Sequence, residues 1–152
     1  MPIHISGTGS FLPQNKVNNS SFSNRVFFDK DGNRYPNSND EIIEKFKTIT
    51  GINERRYADK EHKTSDLATF AAQNAINDAG IDKETLDYII VAHNFGDVEY
   101  GTNQYIALPS VATMVKHKLE ILNENCVAYD IIFGCPGWLE GVIQATAYIR
   151  SK

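Results

Sequence analysis

Residues 126–138 read Cys126-Val127-Ala128-Tyr129-Asp130-Ile131-Ile132-Phe133-Gly134-Cys135-Pro136-Gly137-Trp138, and the rest of the fold can be read outward from them. Residues 126–133 read as a buried strand, and residues 136–150 as a long helix. A strand thus feeds directly into a helix, with Cys135 at the junction between Gly134 and Pro136-Gly137. Pro136 suits the first helical position, which places Cys135 at the N-cap. Free backbone N–H groups and the positive end of the helix dipole would then surround the sulfur. That setting favours thiolate, the reactive form, and the same amides suit a developing oxyanion. Two readings of the thiol follow from this local setting, a nucleophile or a buried core cysteine.

Upstream, Asp87-Tyr88-Ile89-Ile90-Val91-Ala92 is too continuously apolar for a one-sided sheet and reads as a central strand. Thr64-Ser65-Asp66 caps a helix carrying Leu67, Phe70, Ala71, Ala75, Ile76 and Ala79, and Gly80 stops it. Its alanines predict close packing on a sheet. Pro109 opens a helix reaching about residue 119, and Asn39 or Asp40 caps another that Gly51 ends. Residues 3–6 read as a short strand closed by the turn Gly7-Thr8-Gly9-Ser10. Between residues 14 and 39 the chain is rich in Asn and Ser, with Asp31-Gly32-Asn33 as a turn between Val26-Phe27-Phe28 and residues 33–35. The region around 18–38 is expected to be an ordered surface insertion, because Phe27, Phe28 and Tyr35 are costly to leave in water. Alternating strands and helices predict an α/β fold whose mixed or parallel sheet is covered by helices. The last helix is apolar almost all round and so expects burial from more than one direction.

Composition narrows the function. Fifteen basic against 19 acidic residues give a formal charge of -4 over 152 residues. No basic stripe accompanies them, which argues against nucleic acid as a partner. No apolar run approaches the ~20 residues of a membrane span. The start, Met1-Pro2-Ile3-His4-Ile5, lacks a basic region followed by an apolar block, so no secretory signal and no membrane are expected. Two cysteines without a Cys-x-x-Cys suit a reducing cytoplasm and form no metal motif. Cys126 reads as a structural thiol. His93, at a strand end near Asp97 and Glu99, reads as a residue that satisfies a turn. Gly7-Thr8-Gly9 has neither dinucleotide spacing nor a P-loop lysine, so it reads only as a strand-ending turn.

In their order along the chain, several segments resemble the type III ketosynthases, 3-oxoacyl-(acyl carrier protein) synthase III, of the thiolase superfamily. These are Gly7-Thr8-Gly9-Ser10-Phe11-Leu12-Pro13, Thr50-Gly51-Ile52-Asn53-Glu54-Arg55-Arg56, Ala107-Leu108-Pro109-Ser110 and the turn around Cys135. The resemblance implies a thiolase-like fold in which residues 1–152 are the amino-terminal half, the first of two pseudo-repeats. It implies acylation of Cys135 by a thioester, from acyl-CoA or acyl carrier protein. Decarboxylating Claisen condensation with malonyl-acyl carrier protein would then give a 3-oxoacyl product in fatty acid biosynthesis. No cofactor is implied beyond the thioester substrate, and no metal. The implied partners are acyl carrier protein and a second copy in a homodimer.

In that family a His and an Asn from the carboxy-terminal half assist decarboxylation. That half is expected to lie outside this chain, which is therefore expected to lack condensing activity alone. Lys45 and Ile49 stand where well-known members hold the CoA adenine with a Trp and an Arg. Leu108, at the position lent to the dimer partner, leaves more room than an aromatic ring. Phe133, Pro136 and Trp138 stand where small residues and Phe are usual, so Leu108, Phe133 and Trp138 are the expected substrate-binding residues. Two other readings stay open, a specialised synthase joining longer acyl units and a non-catalytic thiolase-fold partner subunit.

Overall fold

The computed structural model describes residues 2–151, which divide into two compact units, Leu12–Asp59 and the remainder.

The Leu12–Asp59 unit contains strand β1 (Asn15–Asn18), helix α1 (Asn39–Thr50) and strand β2 (Glu54–Tyr57). β1 and β2 form an antiparallel ladder in which Asn15 faces Tyr57 and Asn18 faces Glu54. The polar composition of residues 14–18 hid this strand in the sequence, because Asn and Lys are poor strand formers and cross-strand pairing decides the outcome. Ser38, rather than Asn39 or Asp40, caps α1. Its Oγ accepts from Glu41 N at 3.3 Å, while Glu41 Oε2 accepts from Ser38 N at 3.0 Å. A reciprocal pair satisfies two orphan groups at once and so outcompetes a single Asn or Asp cap. Gly51, at φ 68°, ends the helix as expected.

The expected hairpin is present as a single bridge, Phe28 facing Arg34, with Tyr35 N donating to Phe27 O at 2.8 Å. Phe22 and Phe27 pack edge-on against Phe46, with centroids 5.9 and 5.7 Å away. The Arg55 guanidinium lies over Phe22 and Phe46 at 5.6 and 5.9 Å and donates to Asn19 Oδ1 at 2.7 Å. These rings and this cation hold the Asn-rich stretch in place; cation–aromatic contacts of this kind contribute about 0.5–2 kcal/mol each.

The second unit holds α2 (Thr64–Ala79), β3 (Tyr88–His93), β4 (Asp97–Val98), β5 (Tyr105–Ile106), α3 (Val111–Lys118), β6 (Val127–Ile132) and α4 (Gly137–Ser151). β3 and β6 pair in parallel, Tyr88 beside Val127 through His93 beside Ile132. Period-two alternation sends Ile89 and Val91 to one face, against a core of Ile76, Val111, Val115, Leu119, Ile121 and Cys126. The opposite face presents Tyr88, Ile90 and Ala92 to α4. The α/β class therefore holds, with helices on both faces of a parallel ladder. The antiparallel pairings are separate two-stranded sheets, β1 with β2 and β4 with β5.

Residues 3–6 are not a strand. No strand among the described residues pairs with them, and Ile5 is 73 % exposed. The segment that follows lies along α2 instead. Thr8 N donates to Asp78 Oδ2 at 2.8 Å and Asn74 Nδ2 to Ser10 O at 2.9 Å. A Cβ at Gly7 would stand 2.5 Å from Ala79 N, and one at Gly9 would collide with Ala71 O and Ala75 N. The two glycines and the alanines of α2 are thus matched to each other. The alanines pack on an extended chain rather than on a sheet, and Gly7-Thr8-Gly9 is a packing segment rather than a turn. No helix among the described residues is long and apolar enough to cross a membrane.

Candidate active site

β6 carries the chain to the cysteine, and Phe133 N closes the ladder on His93 O at 3.2 Å. Gly137 N then donates to Gly134 O at 2.9 Å, and Glu140 N to Pro136 O at 3.1 Å. Pro136 therefore supplies the first helical carbonyl and is itself the N-cap rather than the first helical residue, and Cys135, expected at the N-cap, lies one residue before it. The tight turn on Gly134 O takes up a residue before α4 begins. Cys135 is exposed at the mouth of the helix, whereas Cys126 is 3 % exposed in the core. Burial pushes the Cys126 thiol above its ordinary range, against the pull of Lys116, which matches the structural role expected of it.

Neither glycine beside Cys135 adopts a left-handed conformation. Gly137 is instead required for proximity, since a Cβ there would lie 3.1 Å from Ala92 Cβ and 3.4 Å from Phe133 Cβ. The start of α4 is thereby drawn onto the ends of β3 and β6, which holds the cysteine turn at the strand tips. Residues at the carboxyl ends of parallel strands are where α/β proteins gather their chemistry.

The expected substrate-binding residues stand in different places. Trp138, 70 % exposed, lines a groove of about 320 Å³ with Tyr88, Ile90, Ala92, Gly141, Val142 and Ala145. Phe133 is 50 % exposed beside the turn, and Leu108 is 84 % exposed on the segment before α3. Neither Leu108, Phe133 nor Cys135 lines the groove beside Trp138.

Sequence reasoning missed Asp130. Its Oδ2 accepts from Val111 N at 2.8 Å and its Oδ1 from Ala112 N at 2.7 Å, which caps α3 from a neighbouring strand. His93 Nε2 lies 2.8 Å from the same Oδ2. His93 thus satisfies no turn; its ring is inside, on the α3 side of the ladder, because residue 93 shares the face of Ile89 and Val91. A lone acid within an apolar strand, two residues short of a histidine's register partner, was the available clue.

A parallel strand pair lies between helical layers, with an exposed cysteine where the second strand opens a helix, and the solved structures that superpose on this arrangement have the thiolase-like α/β fold. Among solved structures, 3-oxoacyl-[acyl-carrier-protein] synthase III from Aquifex aeolicus VF5 superposes at a TM-score of 0.74 with 30% identity, covering 97% of this chain and 40% of that one. The synthase III from Thermus thermophilus gives 0.73 with 26% identity, covering 98% and 39%. Among curated relatives, beta-ketoacyl-[acyl-carrier-protein] synthase III of Neisseria meningitidis serogroup C is 39% identical over 147 residues, 97% of this chain and 39% of that protein. The protein of that name from Staphylococcus haemolyticus is 34% identical over 151 residues, 99% of this chain and 41% of its own length. No family model matches. The chain is thus related, over nearly all its length, to the amino-terminal half of a 3-oxoacyl-[acyl-carrier-protein] synthase III, and it spans about two fifths (39%) of the relatives' length.

Proposed function

We propose that this chain is the acyl-accepting half of a ketosynthase III acting in fatty acid biosynthesis, in the cytoplasm and as part of a homodimer. The observation that carries this reading is the exposed Cys135 at the junction of β6 and α4. In the first step the Cys135 thiolate attacks the carbonyl carbon of an acyl thioester. A new carbon–sulfur bond forms, the old one breaks, and the departing thiol takes up a proton. Amides of the first turn of α4 are proposed to hold the oxyanion of the tetrahedral intermediate. Malonyl-acyl carrier protein would then lose carbon dioxide, and its carbanion equivalent would displace Cys135 to give the 3-oxoacyl product. That second step draws on the His and Asn expected from the other half of the fold, so the chain alone is proposed to stop at the acyl-enzyme. The substrates themselves bring the thioester, and no cofactor enters the scheme. Leu108, Phe133 and Trp138 are proposed to shape the acyl path, with an acyl carrier protein as the partner.

Intact-mass spectrometry after incubation with acetyl-CoA tests the first step. One acyl adduct is expected on the chain and none on Cys135→Ala; adding malonyl-acyl carrier protein is expected to yield no 3-oxoacyl product. In the native state iodoacetamide should label Cys135 about a hundredfold faster than Cys126, because one thiol is open and the other is buried and held protonated. Equal labelling rates, or an acetyl adduct that survives Cys135→Ala, would favour the non-catalytic partner subunit.

A further inference from the structure

We infer that His93 and Asp130 form a positioning pair that fixes the start of α3 relative to the exit of β6, and through that exit the turn bearing Cys135. The acyl-transfer part of this inference rests on the function proposed above.

One carboxylate joins three segments. Asp130 sits five residues before Cys135 and accepts from Val111 N and Ala112 N, the first two residues of α3. Leu108 lies three residues ahead of that helix start. His93 supplies the third hydrogen bond, at 2.8 Å, and its own carbonyl accepts from Phe133 N, two residues before the cysteine. The His93 and Asp130 side chains are 7% and 13% exposed. β6 contributes Asp130 as the charged partner of the imidazole, and the first turn of α3 contributes backbone amides to the same carboxylate.

The imidazole is more than filler. With Nε2–H directed at the carboxylate, Nδ1 is left buried without a hydrogen-bond partner. An apolar side chain in this place would leave no such orphan, and an unmet buried polar atom costs about 1–3 kcal/mol. Asp130 already takes two backbone amides, so it does not need the histidine to be satisfied. What the third bond adds is orientation, since a carboxylate held from three sides has one rotamer. Partners that orient a metal ligand in this indirect way commonly matter about 10–100-fold when removed, and the lower end of that range is the scale expected for this pair.

Amide hydrogen exchange and acetyl transfer from acetyl-CoA, followed in parallel on His93→Phe, His93→Gln and Asp130→Asn, test the pair. His93→Phe should raise exchange at Val111 and Ala112 about tenfold or more and slow acylation of Cys135 about tenfold. Gln, which can donate from its Nε2, should restore both to within about threefold of the parent. Asp130→Asn can accept at only one oxygen and should expose at least one of the two amides. A folded His93→Phe with parental exchange and parental acylation overturns the inference. If that variant fails to fold, nitrogen-15 NMR of the parent decides: a proton on Nε2 that exchanges slowly supports the pair, and a proton on Nδ1 alone overturns it. Should the parent chain resist acylation while the exchange pattern responds as described, the acyl-acceptor reading fails and the positioning of α3 stands.

Discussion

The two faces of the β3–β6 ladder are both apolar, yet they are finished to different degrees. On the face toward α2 and α3, Val111, Val115, Leu119, Ile121 and Cys126 are all nearly closed to solvent. On the other side α4 covers Tyr88, Ile90 and Ala92 with one edge, while Trp138 is 70% exposed and Leu139 and Ile143 are each 54% exposed. Composition does not explain the contrast, since α4 is as rich in large apolar residues as the buried face. The difference is geometric: two helices and the segment around Ile121 close one face, and a single helix lies on the other. The outer apolar side of α4 needs cover that residues 2–151 do not provide, which agrees with a chain that matches 39% of its relatives' length. An all-round apolar helix thus reports the environment it is built for, and the exposure of its outer side reports how much of that environment this chain supplies.

Substitutions on the two faces should separate them most clearly. Ile76→Ala, in the closed core, should cost about 2–5 kcal/mol in urea unfolding, whereas Ile143→Ala on the open side should stay within about 0.5 kcal/mol. Equal losses would mean that α4 is covered in solution by a neighbour.

A smaller effect tests how tightly the open face is seated. Gly137→Ala places a methyl 3.1 Å from Ala92 Cβ, a contact between two rigid groups, and should cost about 1–2 kcal/mol. Gly134→Ala, with nothing within 4 Å and no left-handed backbone, should be neutral to within about 0.5 kcal/mol. Thermal unfolding of the two variants would show whether the cysteine turn is seated by contact or merely follows the strand.

The smallest effect concerns the polar patch under α4. Tyr129 Oη donates to Gln144 Oε1 at 2.7 Å, and burial, with a further contribution from the Tyr148 hydroxyl, pushes its pKa from 10.0 up to about 12. A raised folded-state value means that the stabilisation is complete below pH 10, the unfolded value, and is lost as pH climbs toward 12. Tyr129→Phe should cost about 1 kcal/mol at neutral pH and flatten the decline of stability across that alkaline window. An unchanged alkaline slope would show the hydroxyl to be solvated rather than held by Gln144.

Much of this architecture was readable from local pattern. Gly51 and Gly80 stop α1 and α2 where the periodicity ends, at φ 68° and 62°. Phe27 and Tyr35 closed a hairpin over an Asp-Gly turn, and the junction at Cys135 was misplaced by only one residue. What escaped was pairing between distant segments. Residues 3–6 have strand composition but pair with no strand among the described residues, while the polar Asn15–Asn18 finds Glu54–Tyr57 and becomes a strand. Ser65 donates to Asp97 Oδ2 at 2.7 Å and receives Lys118 Nζ at 2.9 Å, a buried network drawn from three separated stretches. Lys118 also holds Asp66. Burial alone would raise the Asp66 carboxyl, but the hydrogen bond and charge of Lys118, with the Lys63 amide, keep it below the usual range.

The sequence by itself determined the alternation of strands and helices, their stops, and the placing of a cysteine where a strand becomes a helix. Those features follow from side-chain period, capping chemistry and the conformational limits of proline and glycine, all of which act within a few residues. The tertiary structure alone decided that Cys135 is open while Cys126 is shut, and that Asp130 caps a helix 18 residues away while binding His93. Burial and long-range hydrogen bonds depend on which segments share a volume, and that is settled only when the whole chain packs.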